Sequence, residues 1–94
     1  NLVDLRRAIL GEDAARQNAL VVADGFTRHD QYADAASFLL GAVRDNPHDG
    51  EAWLALGNNL VAQADGAMTP AAQEAYRRAE AAGTRVGAAS PDAR

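Results

Sequence analysis

Apolar positions along the chain recur in register. Ala19, Val22, Ala23 and Phe26 return as Trp53, Leu56, Gly57 and Leu60, each 34 residues later, and the spacing of three and four within each set marks one face of a helix. A second set, Ala35, Leu39 and Ala42, returns as Ala72, Tyr76 and Ala79, 37 residues on. The second unit therefore carries a three-residue insertion. It must fall between Leu60 and Ala72, where Asp65, Gly66, Thr69 and Pro70 supply turn and breaker chemistry. Each unit reads as an inner helix, a turn and an outer helix, and a period of this length means stacked helical hairpins.

The sizes of these side chains fit helix-on-helix packing. Trp53 and Leu56 place bulk on one inner helix, while Gly57, like Ala23 before it, removes bulk so that a partner helix can approach. On the outer helices, Leu39 and Tyr76 are each large knobs between alanines at helical spacing. Asp13 is expected to cap an inner helix over 14–29, and Asp30 or Gln31 to turn the chain into an outer helix over 31–45. Pro47 stops the first hairpin, Asp49 caps an inner helix over 50–64, and Thr69 followed by Pro70 opens a last helix over 70–82. Thr84 stands where a second hairpin-ending proline is expected.

Before the hairpins, Leu2, Leu5, Ile9 and Leu10 share a helical face, with Asp4, Arg6 and Arg7 largely on the other, and Gly11 offers a stop. This predicts an extra helix over 1–12, packed on the first hairpin. Repeat one then spans 13–49, with a degenerate start, and repeat two spans 50–83. Residues 84–94, rich in Gly, Ala, Thr, Ser and Pro, are expected to be a flexible tail.

This organisation resembles the tetratricopeptide repeat (TPR). The resemblance implies an all-α fold, with TPR-type hairpins stacked as a short right-handed α-solenoid of about five helices. It also implies a concave groove, lined by inner helices, that takes a peptide or helix from a protein partner. Carried onto this chain, the groove residues are Gln17, Leu20, Asp24, Thr27 and Arg28 in repeat one, and Glu51, Leu54, Asn58, Val61 and Ala62 in repeat two. The Asn58 amide can bond both N–H and C=O of an extended peptide; the alternative is an exposed helix asparagine. TPRs that clamp a chaperone's carboxylate tail resemble this chain at Asn58 alone. They require groove lysines and arginines, whereas this chain has no lysine and places Leu20, Leu54 and Ala55 where such groups belong. Trp53 fits the TPR pattern as a core residue rather than an aromatic anchor.

The run from Asn46 to Asn58, followed by Ala64-Asp65-Gly66 and Thr69-Pro70, is similar to the TPR region of bacterial cytochrome c maturation factors of the CcmI/CycH/NrfG type. The insertion is its most specific part, and the similarity covers residues 16–82. It implies a periplasmic TPR domain, held to the membrane by a segment outside these residues, that binds apocytochrome c or a partner in its maturation. The alternatives are a general TPR scaffold or self-associating adaptor with an unrelated partner, and a cytoplasmic location. A chain that starts at Asn1 rather than methionine is expected to be a processed piece.

Composition narrows the choice of function. A chain of 94 residues is one small domain that buries about 60–65% of its unfolded surface. Its nine basic residues are all arginine, and its net charge of -4 argues against a nucleic-acid partner. Apolar runs such as Ala19 to Ala23 are too short to insert in a membrane. Without cysteine there is no disulfide, thiol chemistry or Cys-type zinc site, which suits cytoplasm and periplasm alike. His29 and His48 lie near turns with no second ligand or nucleophile at useful spacing, and Ser37 has no histidine partner. No catalytic residue, metal or cofactor is expected. The last outer helix, with Ala71, Ala75, Tyr76, Ala79 and Ala82, lacks a following repeat, which predicts a homodimer through that open face.

Overall fold

The computed structural model describes residues 1–87, and within them the chain is all-helical. Its four helices are α1 (Leu2–Arg28), α2 (Tyr32–Asp45), α3 (Gly50–Gln63) and α4 (Pro70–Ala81). Each helix packs on the next, and α3 also touches α1. Connections of three to six residues make successive helices antiparallel.

Local chemistry sets where the helices begin. Asn1 Oδ1 accepts from the Asp4 N–H at 3.0 Å, Asp49 Oδ1 from Ala52 at 3.2 Å, and Thr69 Oγ1 from Ala72 at 3.2 Å. These side chains satisfy N–H groups that have no partner within the helix. Pro70, at the first helical position of α4, has no such N–H to satisfy.

The ends of α1, α3 and α4 share one device. Asp30, Asp65 and Gly83 take positive φ values of 58°, 55° and 90°, which turns the chain back over the helix end. The next N–H then reaches a carbonyl of the last turn, Gln31 to Phe26, Gly66 to Val61 and Thr84 to Ala79, each at 2.9 Å. Aspartate tolerates this left-handed conformation because its short polar side chain can bond locally. The α1–α2 connection has three residues and the α3–α4 connection six, so the insertion lies in the latter.

Two expectations about the termini are corrected. The helices expected over 1–12 and 14–29 form the single helix α1, so the described residues contain four helices rather than five. Gly11 does not end a helix, and Asp13 does not cap one. An interior glycine costs about 1 kcal/mol, whereas stopping there would forfeit hydrogen bonds on both sides. Nothing after Gly11 forbids helix, and Asp13 instead accepts from Arg16 Nη2 at 2.6 Å and from Gln17 Nε2 at 3.4 Å. The start of the expected tail is also structured: Thr84 is half-buried and closes the α4 end, its side chain against Gly50 at the start of α3. Residues 88–94 of that tail lie outside the described residues.

The core is made of small residues around two leucines. Ala23, Ala36, Ala52 and Ala75 are buried with Val43, and Leu39 and Leu56 are the largest side chains wholly enclosed. Trp53 packs against this cluster at half burial, its indole Nε1 donating to the Pro47 carbonyl at 2.7 Å. Gly57 acts as its spacing predicts: a Cβ there would lie 2.6 Å from Cε1 of Tyr76, so the missing side chain makes room for the α4 ring.

The molecule is elongated. Its extents are 49 × 28 × 24 Å and its radius of gyration 14.3 Å, against about 12 Å for a compact chain of this length. The cause is α1, whose 27 residues run about 40 Å beside helices half as long. Every residue from 8 to 15 is exposed, and burial begins at Arg16. The N-terminal segment thus overhangs the first hairpin instead of packing on it. Its apolar residues face outward, Leu2 69% and Leu5 57% exposed.

Candidate functional site

The α1–α3 crossing leaves an open cleft of about 320 Å³ on one side of the molecule. Six of the ten groove residues expected from sequence line it: Leu20, Asp24 and Thr27 from α1, and Glu51, Leu54 and Asn58 from α3. Its apolar surface comes from Leu20 and Leu54, both half-buried, with Ala23 and Ala55 beside them. Asp24, Glu51 and Asn58 are exposed around this surface. The result is a shallow apolar trough with a polar margin of two carboxylates and an amide.

A polar clasp fixes the two walls together. Thr27 Oγ1 lies 2.9 Å from Asn59 Oδ1 and 3.0 Å from the Ala23 carbonyl, and Asn59 Nδ2 donates to the Ala55 carbonyl at 2.8 Å. Asn59 is 4% exposed, so these bonds meet the hydrogen-bonding demand of a buried amide while joining α1 to α3. Sequence reasoning missed Asn59. Its signal was a polar side chain at the three-and-four spacing of Ala52 and Leu56, on the buried stripe.

Four expected residues fall outside the cleft. Gln17 sits in the turn after Asp13 and reaches back to it, and Arg28 pairs with Asp24 at 3.4 Å along the helix surface. Val61 and Ala62 belong to the last turn of α3, where their carbonyls receive the N–H groups of Gly66 and Asp65. The expected role of Asn58 also changes. Its Oδ1 already accepts from the Tyr76 hydroxyl at 2.8 Å, so the groups it can still offer are chiefly its amide N–H donors. The pair also ties the cleft margin to α4.

Charge on α4 is locally arranged. Glu74 Oε1 accepts from Arg77 Nε at 3.0 Å, and its Oε2 accepts from Arg77 Nη2 at 2.5 Å and Arg78 Nε at 2.8 Å. These bonds hold the Glu74 carboxyl well below its ordinary value of 4.5, at about 2. Arg78 also lies over the Trp53 ring, 5.1 Å from its centroid. Because the folded value is depressed, the contribution of this cluster is complete above pH 4.5 and is lost as pH falls through about 2. Carboxyl-carbon NMR is expected to find Glu74 still ionised at pH 3. Changing both Arg77 and Arg78 to alanine should return it to the usual range.

His29 is the C-terminal cap residue of α1, and His48 is exposed in the α2–α3 connection. Among the described residues, no three His, Cys, Asp or Glu side chains are grouped to hold a metal ion, and no helix is long and apolar enough to cross a membrane. Comparisons with protein-family models, curated proteins and solved structures find no match to this chain. The fold and the cleft together define an all-helical domain with an open groove between its odd-numbered helices.

Proposed function

We propose that this chain is a non-catalytic protein-interaction module of the TPR type, in which α1–α2 and α3–α4 are successive repeats and the α1–α3 cleft holds a segment of a partner protein. The observation that carries this reading is the convergence of Leu20, Asp24, Thr27, Glu51, Leu54 and Asn58 on one cleft. The 34-residue repeat supports it too, because it sets equivalent faces of two inner helices side by side. The acidic margin favours a partner segment with basic residues around an apolar anchor. Following the resemblance in 46–70, the partner is apocytochrome c or another polypeptide of cytochrome c maturation, met in the periplasm. A trough this small gives weak binding by itself.

A fluorescence-anisotropy titration with labelled, haem-free c-type cytochrome tests the proposal. Binding is expected to weaken more than about tenfold in Leu54→Glu, which sets a charge on the apolar floor. It should remain within about twofold in Gln73→Glu, on the exposed part of α4. Absence of binding would remove the cytochrome assignment. Binding indifferent to Leu54→Glu would remove the groove.

A further inference from the structure

The overhang of α1 presents an apolar surface that nothing among the described residues covers. Leu2, Val3, Leu5, Ile9 and Leu10 are 69%, 63%, 57%, 56% and 63% exposed. Leu2, Leu5 and Ile9 continue, at helical spacing, the stripe that further along carries Arg16, Leu20, Ala23 and Thr27. That stripe is the packing face of α1, so the overhang continues a surface that packs further along the helix.

Beside the overhang lies a second cleft, of about 360 Å³, between α1, the end of α2 and the start of α3. Ala15, Ala19 and Ala42 line it, and Glu12, Asp45 and Asp49 add carboxylates. The same helix thus carries a row of unburied leucines at one end and, a few turns on, an alanine-lined recess with acidic side chains.

We propose that this chain forms a two-fold symmetric homodimer in which two α1 overhangs pair antiparallel, the N-terminal leucines of each copy packing at the alanine-lined cleft of the other. With the two-fold axis near Ile9, Leu2 of one copy falls beside Ala15 and Arg16 of the other, at the cleft. Charge order selects the antiparallel sense. Arg6 precedes Glu12 and Asp13 along the helix, so antiparallel copies set Arg6 against the acidic segment, whereas parallel copies set like against like.

At about 100 Å² for each of Leu2, Leu5 and Ile9, the seam buries about 600 Å² in the pair, and the contacts at the two clefts must bring it to the about 1,000 Å² of a specific interface. A lipid surface fits less well: residues 1–15 hold two arginines against Asp4, Glu12 and Asp13, so they have no attraction to an anionic bilayer. The open face of α4, the interface expected from sequence, carries no large exposed apolar side chain among the described residues.

Sedimentation equilibrium of the full chain, from low micromolar to millimolar concentration, is expected to show twice the 9.9 kDa mass at the upper end. Leu5→Glu with Ile9→Glu should raise the dimer dissociation constant more than about 100-fold by burying charge at the seam. Far-ultraviolet circular dichroism should remain that of a folded helical protein, because the core lies elsewhere. Arg6→Glu alone should weaken the dimer about tenfold, and adding Glu12→Arg should restore it to within about threefold, a rescue that only antiparallel pairing provides. A monomer at every concentration, a dimer that survives Leu5→Glu with Ile9→Glu, or failure of the charge swap would overturn the proposal. So would a monomer drawn onto anionic phospholipid vesicles through Leu5 and Ile9.

Discussion

Leu39→Ala is expected to lower stability by about 3–4 kcal/mol, a large part of the margin of a small domain. Leu39 is fully enclosed, and the cluster around it is mostly alanine: Ala23, Ala36, Ala52 and Ala75. Alanines cannot swing into a void, so the space left by the lost isobutyl group stays open, and the cavity cost adds to the lost burial. For a domain of this size the change lowers the melting temperature by roughly 12–25 °C. Leu40→Ala is the matched control, since Leu40 is 45% exposed and its removal opens no cavity. A thermal melt of both variants checks the contrast. Similar shifts would mean that the two-leucine core does not govern stability.

Gly57→Val is the second large effect, expected at about 2–3 kcal/mol, and it acts by overpacking. A Cβ at Gly57 would come within 2.8 Å of Cδ1 and 2.6 Å of Cε1 of Tyr76, and valine adds two methyls beyond it. The ring must move, which breaks the Tyr76 bond to Asn58 Oδ1 and opens the α3–α4 contact. Gly57→Ala should cost less, because the gain in helix propensity offsets part of the clash. Combining Gly57→Val with Tyr76→Ala should recover much of the loss, since the obstacle is the ring. Urea unfolding of the single and double variants measures that coupling. Simple additivity would show that the valine strains something else.

Much of the helical architecture was legible because short-range chemistry decides it. Asp49 and Thr69-Pro70 mark the starts of α3 and α4, and Asp65-Gly66 marks the end of α3, with partners within five residues in sequence. The boundaries expected for α2, α3 and α4 fall within a residue of those observed. Gly11 misled because a glycine inside a helix and one that ends it look alike in sequence. The difference lies in whether the following chain offers a reason to stop, and Glu12 to Arg16 offer none. The expected packing of 1–12 failed for the same reason, since a continuous helix cannot fold back on its own hairpin.

The cleft was legible in part. The TPR resemblance set Leu20, Asp24 and Thr27 opposite Glu51, Leu54 and Asn58, and these six line one cleft. The spacing does not reveal how far the crossing extends. Gln17 and Arg28 lie beyond it and pair along their own helix, and Val61 and Ala62 sit in the final turn of α3. Asn59 is hard to single out in sequence because an asparagine on a helix is mostly exposed. Its bond with Thr27 joins the two walls, and its bond to the Ala55 carbonyl satisfies the amide within α3.

In the proposed function the α1–α3 cleft receives a partner polypeptide. Its most direct test places a photo-cross-linking phenylalanine at Leu54 in the cleft and, separately, at Gln73 on the exposed part of α4, each exposed to a bacterial periplasmic extract and analysed by mass spectrometry. One discrete polypeptide adduct is expected at Leu54, diminished by Leu20→Glu, and none at Gln73. Equal adducts at both positions, or none at Leu54, would contradict it.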